Sequence, residues 1–370
     1  MKKAYLILQD GQVFEGTRFG AGGMVSAELV FETGMIGYLE TLTDPGYQGL
    51  MVAATFPLAG NYGVIPADFS SSAPHLSAFI VREVCDAPSN FRCEGTLDSY
   101  LKEEGVIGLC DIDTRALTRI LRESGAMNAA IVDQLPGDMA AFTQSLARLA
   151  PSGDVIRTTC AAPYFYRPTA VPLVPQTKEV VLWDFGYVRS IAEALSARGC
   201  RVQVVPADTA LSEILAMNPD GIVLSGGPGD PANCASIIEQ LRGLDAARIP
   251  TLAIDLGHQL LALAHGAKSL KMKHGHRGAN QPVRRLSDGR LFTTCQNHGF
   301  VIDGASLPEG VCVSYENVND HTVEGLAYEG LALYSVQFTP KAQGGACETA
   351  FLFDEWMNRM SASDVGSMEE

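Results

Sequence analysis

The chain has 370 residues, of which 46% are hydrophobic and 19% charged, and its formal net charge is −15. This composition predicts about two domains with large cores and excludes global disorder. The acidic balance argues against nucleic acid or an anionic membrane as a partner. The sequence shows neither a secretory leader nor an apolar run long enough for a membrane span, so we expect a cytoplasmic protein with reduced cysteines.

Residues 1–150 predict one mixed α/β domain, in which short strands alternate with glycine-rich turns. The predicted strands are residues 4–8, 26–31, 50–54 and 78–83. Residues 113–124 predict a helix, because Asp113 and Thr114 are favourable caps and apolar residues follow at helical spacing. Residues 151–178 are rich in proline and show no period, which predicts a linker.

Residues 179–360 alternate between strand and helix patterns. Strands are predicted at 180–185, 202–205, 221–224, 251–254 and 333–338, and helices at 190–197, 211–217 and 348–360. The strands are nearly continuous apolar runs, which is typical of a parallel sheet covered on both faces. We therefore predict a doubly wound, mostly parallel sheet whose ligands bind at the carboxyl ends of the strands. The small and charged residues 361–370 predict a disordered tail.

The sharpest turn of this pattern surrounds Asp255. An apolar strand at 251–254 runs directly into an apolar helix that carries Gln259 and Leu260. This strand–turn–helix pattern is typical of a nucleophile elbow, which holds one side chain exposed above a parallel sheet. The residue at the apex is Asp255, where a nucleophile is expected.

The residues around this turn resemble a known family of enzymes. Residues 253–259, Ala-Ile-Asp-Leu-Gly-His-Gln, are similar to the elbow Gly-Ile-Cys-Leu-Gly-His-Gln of the triad-type glutamine amidotransferases. Further similar strings, in family order, are residues 33–38, 42–47, 89–92, 111–115, 184–186, 219–221, 226–231, 266–268 and 296–300. Together they extend over almost the whole chain, which is identified as a member of the carbamoyl-phosphate synthetase small-subunit family.

This resemblance implies a partner and a reaction. In that family a large subunit makes carbamoyl phosphate from bicarbonate, ATP and ammonia, and the N-terminal domain of the small subunit makes most of the contact with it. The C-terminal glutamine amidotransferase domain hydrolyses glutamine and supplies the ammonia through an internal tunnel. ATP and Mg²⁺ are therefore expected on the large subunit, and no cofactor or metal is expected in this chain. The resemblance does not decide between arginine and pyrimidine biosynthesis.

Three departures from the family pattern fall on the catalytic triad. Asp255, Thr339 and Lys341 occupy the positions at which the family has Cys, His and Glu. Glutamine hydrolysis by this route needs a thiolate nucleophile and a nearby base, and a threonine hydroxyl cannot act as a base near neutral pH. We therefore predict a degenerate site without glutaminase activity, in which Asp255 and Lys341 form an ion pair between facing loops. The expected role is structural or regulatory support of a synthetase that uses free ammonia.

The glutamine-binding positions of the family can also be transferred residue by residue. They are Gly46, Gly227, Gly229, Leu256, Gln259, Asn297, Gly299 and Phe300. At Gly46 the family has a serine, whereas the other positions match. By the same resemblance, the backbone N–H groups of Gly227 and Leu256 form an oxyanion hole, which can survive changes of side chain. One lost hydrogen bond costs on the order of 1 kcal/mol, so residual glutamine binding stays open.

Two other functions stay open as well. In the first, Asp255 is the nucleophile or base of a hydrolase for a more activated substrate, with Lys341 and the oxyanion hole beside it. In the second, the chain is a stand-alone glutamine-binding module, although the matching strings of its first domain favour a retained partner. Cys295 and Cys347 are candidates for a relocated nucleophile, and His298 for a stand-in base. Neither cysteine follows a strand-to-helix turn, so we interpret both as structural thiols.

Overall fold

The computed structural model describes residues 2–150, 153–168, 174–341, 345 and 347–366, with side chains as far as Met360. The chain divides into two units. The first is Met1–Gly153 with Lys273–Gly278, and the second is Asp154–Met272 with Ala279–Glu370. Both units contain helices and sheets, so the mixed α/β fold predicted from the sequence is confirmed.

The first unit is built on a closed barrel. The strands of this unit are β1 (Lys3–Leu8), β2 (Val13–Gly20), β3 (Val25–Glu32), β4 (Met51–Ala54), β5 (Leu58–Ala59), β6 (Ala78–Ile80), β7 (Glu83–Val84), β8 (Ile107–Cys110) and β9 (Met127–Val132). Strands β5 and β7 pair with each other and are not part of the barrel. The helices of this unit are α1 (Tyr38–Thr43), α2 (Leu97–Glu103), α3 (Thr114–Ser124) and α4 (Met139–Ala147). The barrel order is β1-β2-β8-β6-β4-β3-β9, and β1 closes it by pairing with both β2 and β9. Fully buried side chains such as Leu6, Leu29 and Leu109 form part of its core.

Helix α3 follows the sequence prediction closely. The Asp113 side chain caps it by accepting a hydrogen bond from Ala116 N at 2.9 Å. Leu117 and Leu121 are fully buried on one side of the helix. The helix ends at Gly125, whose φ of 96° suits glycine and little else. One side of α3 therefore packs into the core, and the charged residues of the helix lie on the opposite side, toward the surface.

The second unit is built on a ten-stranded sheet. Its strands are β10 (Tyr164–Phe165), β11 (Lys178–Asp184), β12 (Cys200–Pro206), β13 (Gly221–Leu224), β14 (Thr251–Ile254), β15 (Ser269–Arg285), β16 (Leu291–Ile302), β17 (Val311–Asn317), β18 (Val323–Tyr328) and β19 (Leu333–Val336). Its helices are α5 (Arg189–Ser196), α6 (Leu211–Ala216), α7 (Ala235–Leu241), α8 (Leu244–Ala247), α9 (Leu256–Ala264) and α10 (Phe351–Gly366). The strand order is β10-β12-β11-β13-β14-β19-β18-β17-β15-β16.

The centre of this sheet is parallel and buried on both faces, as the apolar runs predict. Strands β12, β11, β13, β14 and β19 pair in parallel. Trp183 and Leu224 contribute to the core on one face, and Leu182 and Val223, their neighbours along the strands, contribute to the core on the other. The carboxyl ends of β13, β14 and β19 meet at one edge, which is where the elbow lies.

Part of the predicted linker packs on the second unit. Its residues Tyr164 and Phe165 form β10, which pairs antiparallel with β12. Thr159 Oγ1 donates to the Asp184 carbonyl at 2.6 Å, and Cys160 N donates to the Asp184 carboxylate at 2.7 Å. The Asp184 carboxylate is buried and needs such donors, which explains why a segment without a periodic pattern is still fixed.

The last helix is longer than the sequence predicts. Helix α10 begins at Phe351 and continues to Gly366, six residues into the segment 361–370 for which a disordered tail is predicted. No glycine or proline interrupts residues 361–365, so the helical hydrogen bonds continue until Gly366, a poor helix former. The rest of that segment, residues 367–370, lies outside the described residues.

None of the helices in the described part of the chain combines the length and the apolar character that spanning a membrane would take. All nine cysteines fall within the described residues, and each carries a thiol that is not part of a disulfide. Two of them, Cys110 and Cys200, are buried, and Cys312 and Cys347 are exposed.

Candidate functional site

The predicted elbow is present, with Asp255 at the turn between β14 and α9. Asp255 has φ 52° and ψ −113°, a positive-φ conformation that residues other than glycine rarely adopt. Its N–H donates to the Val336 carbonyl at 2.9 Å, and its carbonyl accepts from Gln259 N at 3.1 Å. Backbone strain of this kind persists only where the surrounding structure enforces it. Here the buried β14 and α9 on either side hold the turn.

Three polar side chains connect the elbow to the strand beside it. Asp255 Oδ1 accepts from Gln337 Nε2 at 2.9 Å, and Gln337 Oε1 accepts from Gln259 Nε2 at 2.9 Å. Gln259 Nε2 also donates to the Phe300 carbonyl at 2.9 Å. Gln259 and Gln337 are buried, so each amide has a single orientation that satisfies its neighbours. We call Asp255, Gln337 and Gln259 the polar relay.

Gln337→Leu is expected to lower the free energy of unfolding by about 1–2 kcal/mol, because it removes a buried donor from the Asp255 carboxylate and an acceptor from Gln259. Urea unfolding followed by tryptophan fluorescence measures this, since both tryptophans, Trp183 and Trp356, lie in the second unit. Gln203→Leu, on strand β12 of the same sheet and only partly buried, is the control and should change stability by less than about 0.5 kcal/mol. Equal effects of the two substitutions would contradict a role for the relay.

Glycines after β13 allow a close approach to the elbow. A Cβ on Gly227 would lie 2.2 Å from the Phe185 carbonyl oxygen, and a Cβ on Gly226 would lie 2.9 Å from Asp255 Oδ2. Gly227 therefore requires glycine for steric reasons, because the clash is with backbone, whereas a Cβ at Gly226 would displace the Asp255 carboxylate. The N–H groups of Gly227 and Leu256 have no hydrogen-bond partner within the part of the chain that the structure describes. These are the two donors that the resemblance assigns to an oxyanion hole.

The other two departures from the triad lie just after β19. Thr339 N donates to the Cys295 carbonyl at 3.0 Å, which joins this loop to β16. The Lys341 carbonyl accepts from Ser190 Oγ at 2.7 Å. The Asp255 carboxylate at the elbow accepts a hydrogen bond from Gln337 Nε2 at 2.9 Å. The ion pair expected from the sequence between Asp255 and Lys341 stays a prediction.

His298 is held in a buried polar cluster. Its Nδ1 lies 2.8 Å from the Phe300 carbonyl, and its Nε2 lies 3.1 Å from Gln296 Oε1. Gln296 Nε2 in turn donates to the buried Glu324 carboxylate at 2.9 Å, which fixes the orientation of the amide. Each ring nitrogen of His298 thus lies within hydrogen-bond distance of an oxygen acceptor, and a neutral imidazole donates to one of the two. Cys295, on the same strand, also lies within β16 and not at a turn.

His258, in the first turn of α9, is completely buried. Its Nδ1 lies 2.8 Å from Ser335 Oγ, while its Nε2 has no hydrogen-bond partner among the described residues. Burial lowers the pKa of His258 to about 3, because the charged imidazolium would lose its hydration. His258 is therefore neutral at physiological pH and is part of the core beneath the elbow.

The glutamine-binding positions expected from the resemblance fall on both units. In the second unit, Gly229 lies after β13 with φ 93°, and Asn297, Gly299 and Phe300 lie on β16. In the first unit, Gly46 lies in a short 3₁₀ turn, where its N–H donates to Asp44 Oδ1 at 2.8 Å. Gly46 thus has no side chain to offer, and its N–H is engaged in the turn.

Sequence reasoning missed Gln337. The signal was available, because Ser335 and Gln337 interrupt an otherwise apolar strand pattern at 333–338. A polar residue in a strand that is buried on both faces needs an internal partner. Gln337 therefore predicts a buried polar partner, and the structure shows that this partner is Asp255.

Comparisons with known proteins match both units. The family described as carbamoyl-phosphate synthase small chain, CPSase domain, matches residues 6–131, and glutamine amidotransferase class-I matches residues 181–358. The carbamoyl phosphate synthase small chain of Syntrophotalea carbinolica is 45% identical over 370 residues, covering 97% of this chain and 98% of the relative. That of Listeria innocua is 42% identical over 369 residues, covering 100% and 99%. The structure of a putative GMP synthase protein from Thermoplasma acidophilum matches with a TM-score of 0.46 and 23% identity, covering 52% of this chain and 98% of that one.

Proposed function

Since the chain belongs to the carbamoyl phosphate synthase small chain family, with a class-I glutamine amidotransferase domain, we propose that it is the small subunit of a carbamoyl-phosphate synthetase and that its own glutaminase site is inactive. Its partner is then a large synthetase subunit, which binds ATP and Mg²⁺ and forms carbamoyl phosphate. The observation that carries the loss of activity is the carboxylate of Asp255 at the apex of a strained nucleophile elbow.

The chemistry of the elbow supports this loss. A class-I site needs a thiolate that attacks the amide of glutamine and forms a thioester. The Asp255 carboxylate is a poor nucleophile toward an unactivated amide, and the anhydride that it would form is less stable than a thioester. In addition, Asp255 Oδ1 accepts a hydrogen bond from Gln337, which further reduces its nucleophilic character.

No base replaces the missing histidine at the triad position. Thr339 cannot take a proton from a nucleophile near neutral pH, and Lys341 has no imidazole to orient. His298 lies in a buried polar cluster with an oxygen acceptor close to each ring nitrogen, and His258 is buried in the core. The function left to the chain is structural or regulatory support of a large subunit that draws on free ammonia.

Binding of glutamine is distinct from its hydrolysis, because the two depend on different groups of the site. The backbone N–H groups of Gly227 and Leu256 have no acceptor among the described residues. Gln259 lies at the base of the elbow, where its side chain donates to the Phe300 carbonyl. We propose that the chain binds glutamine weakly without hydrolysing it. Isothermal titration with glutamine tests this, and no heat of binding at millimolar glutamine would contradict it.

The deciding experiment measures carbamoyl phosphate formed by this chain together with the large subunit of the same organism. Ammonium chloride and glutamine are compared as nitrogen donors, and the controls are the isolated large subunit and the Asp255→Asn complex. Carbamoyl phosphate formation with ammonium chloride but not with glutamine supports the proposal. Glutamine-dependent activity that survives in Asp255→Asn would overturn the loss and redirect attention to Cys295 or Cys347.

One specific observation favours a second candidate, a hydrolase with Asp255 as nucleophile. The elbow keeps its strained geometry, and two N–H donors beside it lack partners among the described residues. An activated ester such as p-nitrophenyl acetate is a suitable probe. If this candidate is right, the wild-type chain hydrolyses the ester and Asp255→Asn does not. Equal rates of hydrolysis by the wild type and Asp255→Asn would exclude it.

A further inference from the structure

Helix α3 of the first unit has a basic surface. Arg115, Arg119 and Arg122 are separated by four and three residues, so they project from the same side of the helix. All three are exposed, whereas Leu117 and Leu121 on the other side are buried. This side of α3 is therefore not used to hold the barrel together.

A fourth arginine completes a concave basic surface. A cavity of about 630 Å³ is lined by Thr55, Pro57, Arg82, Asp113, Thr114, Arg115, Thr118, Arg119 and Arg122. We call its basic part the four-arginine surface, formed by Arg82, Arg115, Arg119 and Arg122. Its volume lies within the range of ligand and partner pockets on proteins.

The arginines of the four-arginine surface differ from other arginines of this unit in their contacts with carboxylates. Among the residues that the structure describes, no ion pair or hydrogen bond joins any of its guanidinium groups to a carboxylate. By contrast, two other arginines of this unit are paired, Arg18 with Asp133 at 2.5 Å and Arg92 with Asp68 at 2.8 Å. The one carboxylate in the cavity, that of Asp113, caps α3.

This arrangement is unfavourable for the isolated chain. Arginine stays protonated at every physiological pH, so four of them around one cavity repel each other. The chain as a whole has 42 acidic and 27 basic residues, yet Asp113 is the one carboxylate among the described residues that line this cavity. An arrangement that is costly alone becomes favourable when carboxylates from outside enter it, because guanidinium groups bind carboxylates in a bidentate fashion.

Exposure and spacing favour a protein surface over a small anion. All four arginines are exposed, whereas a site for one small anion would enclose its charged groups. Arg115 and Arg122 are also seven residues apart, or about 10 Å along the helix axis, which is longer than one phosphate. Arginine is in addition enriched at protein interfaces, where its fork and its apolar stem both make contacts.

We propose that the four-arginine surface is a docking site for an acidic surface of the large synthetase subunit. This inference rests on the proposed function, which supplies the partner; the resemblance assigns most of the contact to the first domain but does not say which surface of that domain is used. The charge of the surface is opposite to that of the chain as a whole. It therefore steers an acidic partner to one position on an acidic small subunit that otherwise repels it.

The test compares binding of the large subunit to the wild-type chain and to the Arg115→Ala/Arg119→Ala variant. Alanine keeps the exposed side of α3 helical, and circular dichroism verifies folding. We expect a Kd at least about 10-fold higher for the variant, a slower association and a weaker dependence on salt. Arg148→Ala is the matched control, because Arg148 is exposed in the same unit but lies outside the surface, and its Kd should be unchanged.

Each other outcome is decisive. If the wild-type chain binds the large subunit and the variant binds with the same Kd and salt dependence, the inference is wrong while the proposed function stands. If the wild-type chain shows no binding to the large subunit, the proposed function fails and this inference with it. If inorganic pyrophosphate binds to the wild-type chain but not to the variant, and binding of the large subunit is equal, the surface is a site for small anions.

Discussion

The variant Asp255→Cys/Thr339→His/Lys341→Glu is expected to release ammonia from glutamine at least about 10³ times faster than the parent chain, since a nucleophile and its base act as a unit. The elbow already fixes φ at 52° at position 255, so a cysteine would be presented at the same apex. The N–H groups of Gly227 and Leu256 belong to the backbone and are unchanged by the three substitutions. Glutamate formation in the complex with the large subunit measures the gain.

Two partial variants make this result interpretable. Asp255→Cys alone lacks a base, and Asp255→Ser/Thr339→His/Lys341→Glu carries an isosteric but weaker nucleophile. Both should remain within about tenfold of the parent chain, because removing one member of a triad removes most of its effect. Equal rates in the parent and the triple variant would show that the pocket itself, and not only the triad, has been lost.

Acid is expected to destabilise the second unit through His258. Burial lowers the pKa of His258 from 6.5 to about 3, so above pH 6.5 the folded and unfolded states both hold a neutral imidazole. Below pH 6.5 the unfolded state takes up a proton that the folded state does not. The free energy of unfolding therefore falls by about 1.4 kcal/mol per pH unit as the pH decreases toward 3.

The measurement is the difference between the wild type and His258→Asn at two pH values. Between pH 7.5 and pH 5.0 the wild type should lose about 2 kcal/mol more stability than the variant. Any cost of the substitution that does not depend on pH cancels in this comparison, as do the titrations of other groups. His321→Asn is the control, since His321 is exposed and has φ 61°, a conformation that asparagine tolerates. A parallel pH dependence in the wild type and His258→Asn would refute the assignment.

The elements that the sequence predicts well are those fixed by local patterns. The strands of the parallel sheet are continuous apolar runs, α3 begins with a capping aspartate, and the turn at Asp255 lies between an apolar strand and an apolar helix. In each case the residues that decide the conformation are near neighbours in sequence. The local pattern is therefore sufficient to place the elbow at Asp255.

The features that escaped prediction depend on contacts between distant residues. The barrel closes because β1 pairs with β9. The residue pattern of neither strand indicates which strand it pairs with. Strand β15 contains lysine, histidine and glycine residues that are uncommon in strands, so the sequence predicts no strand at Ser269–Arg285. The contact between Gln337 and Asp255 joins residues 82 positions apart. Their side-chain chemistry could have suggested a buried partner but not which one.

The closure of the barrel also sets a delay during synthesis. Strand β1 is translated first, but its second neighbour β9 ends only at Val132, about 120 residues later. At a translation rate of about 5–20 residues per second, β1 waits roughly 6–24 s with one edge unpaired. An apolar strand with an unpaired edge is a template for association with other chains. During synthesis of the first unit this edge of β1 is therefore open to association with other chains until β9 has been made.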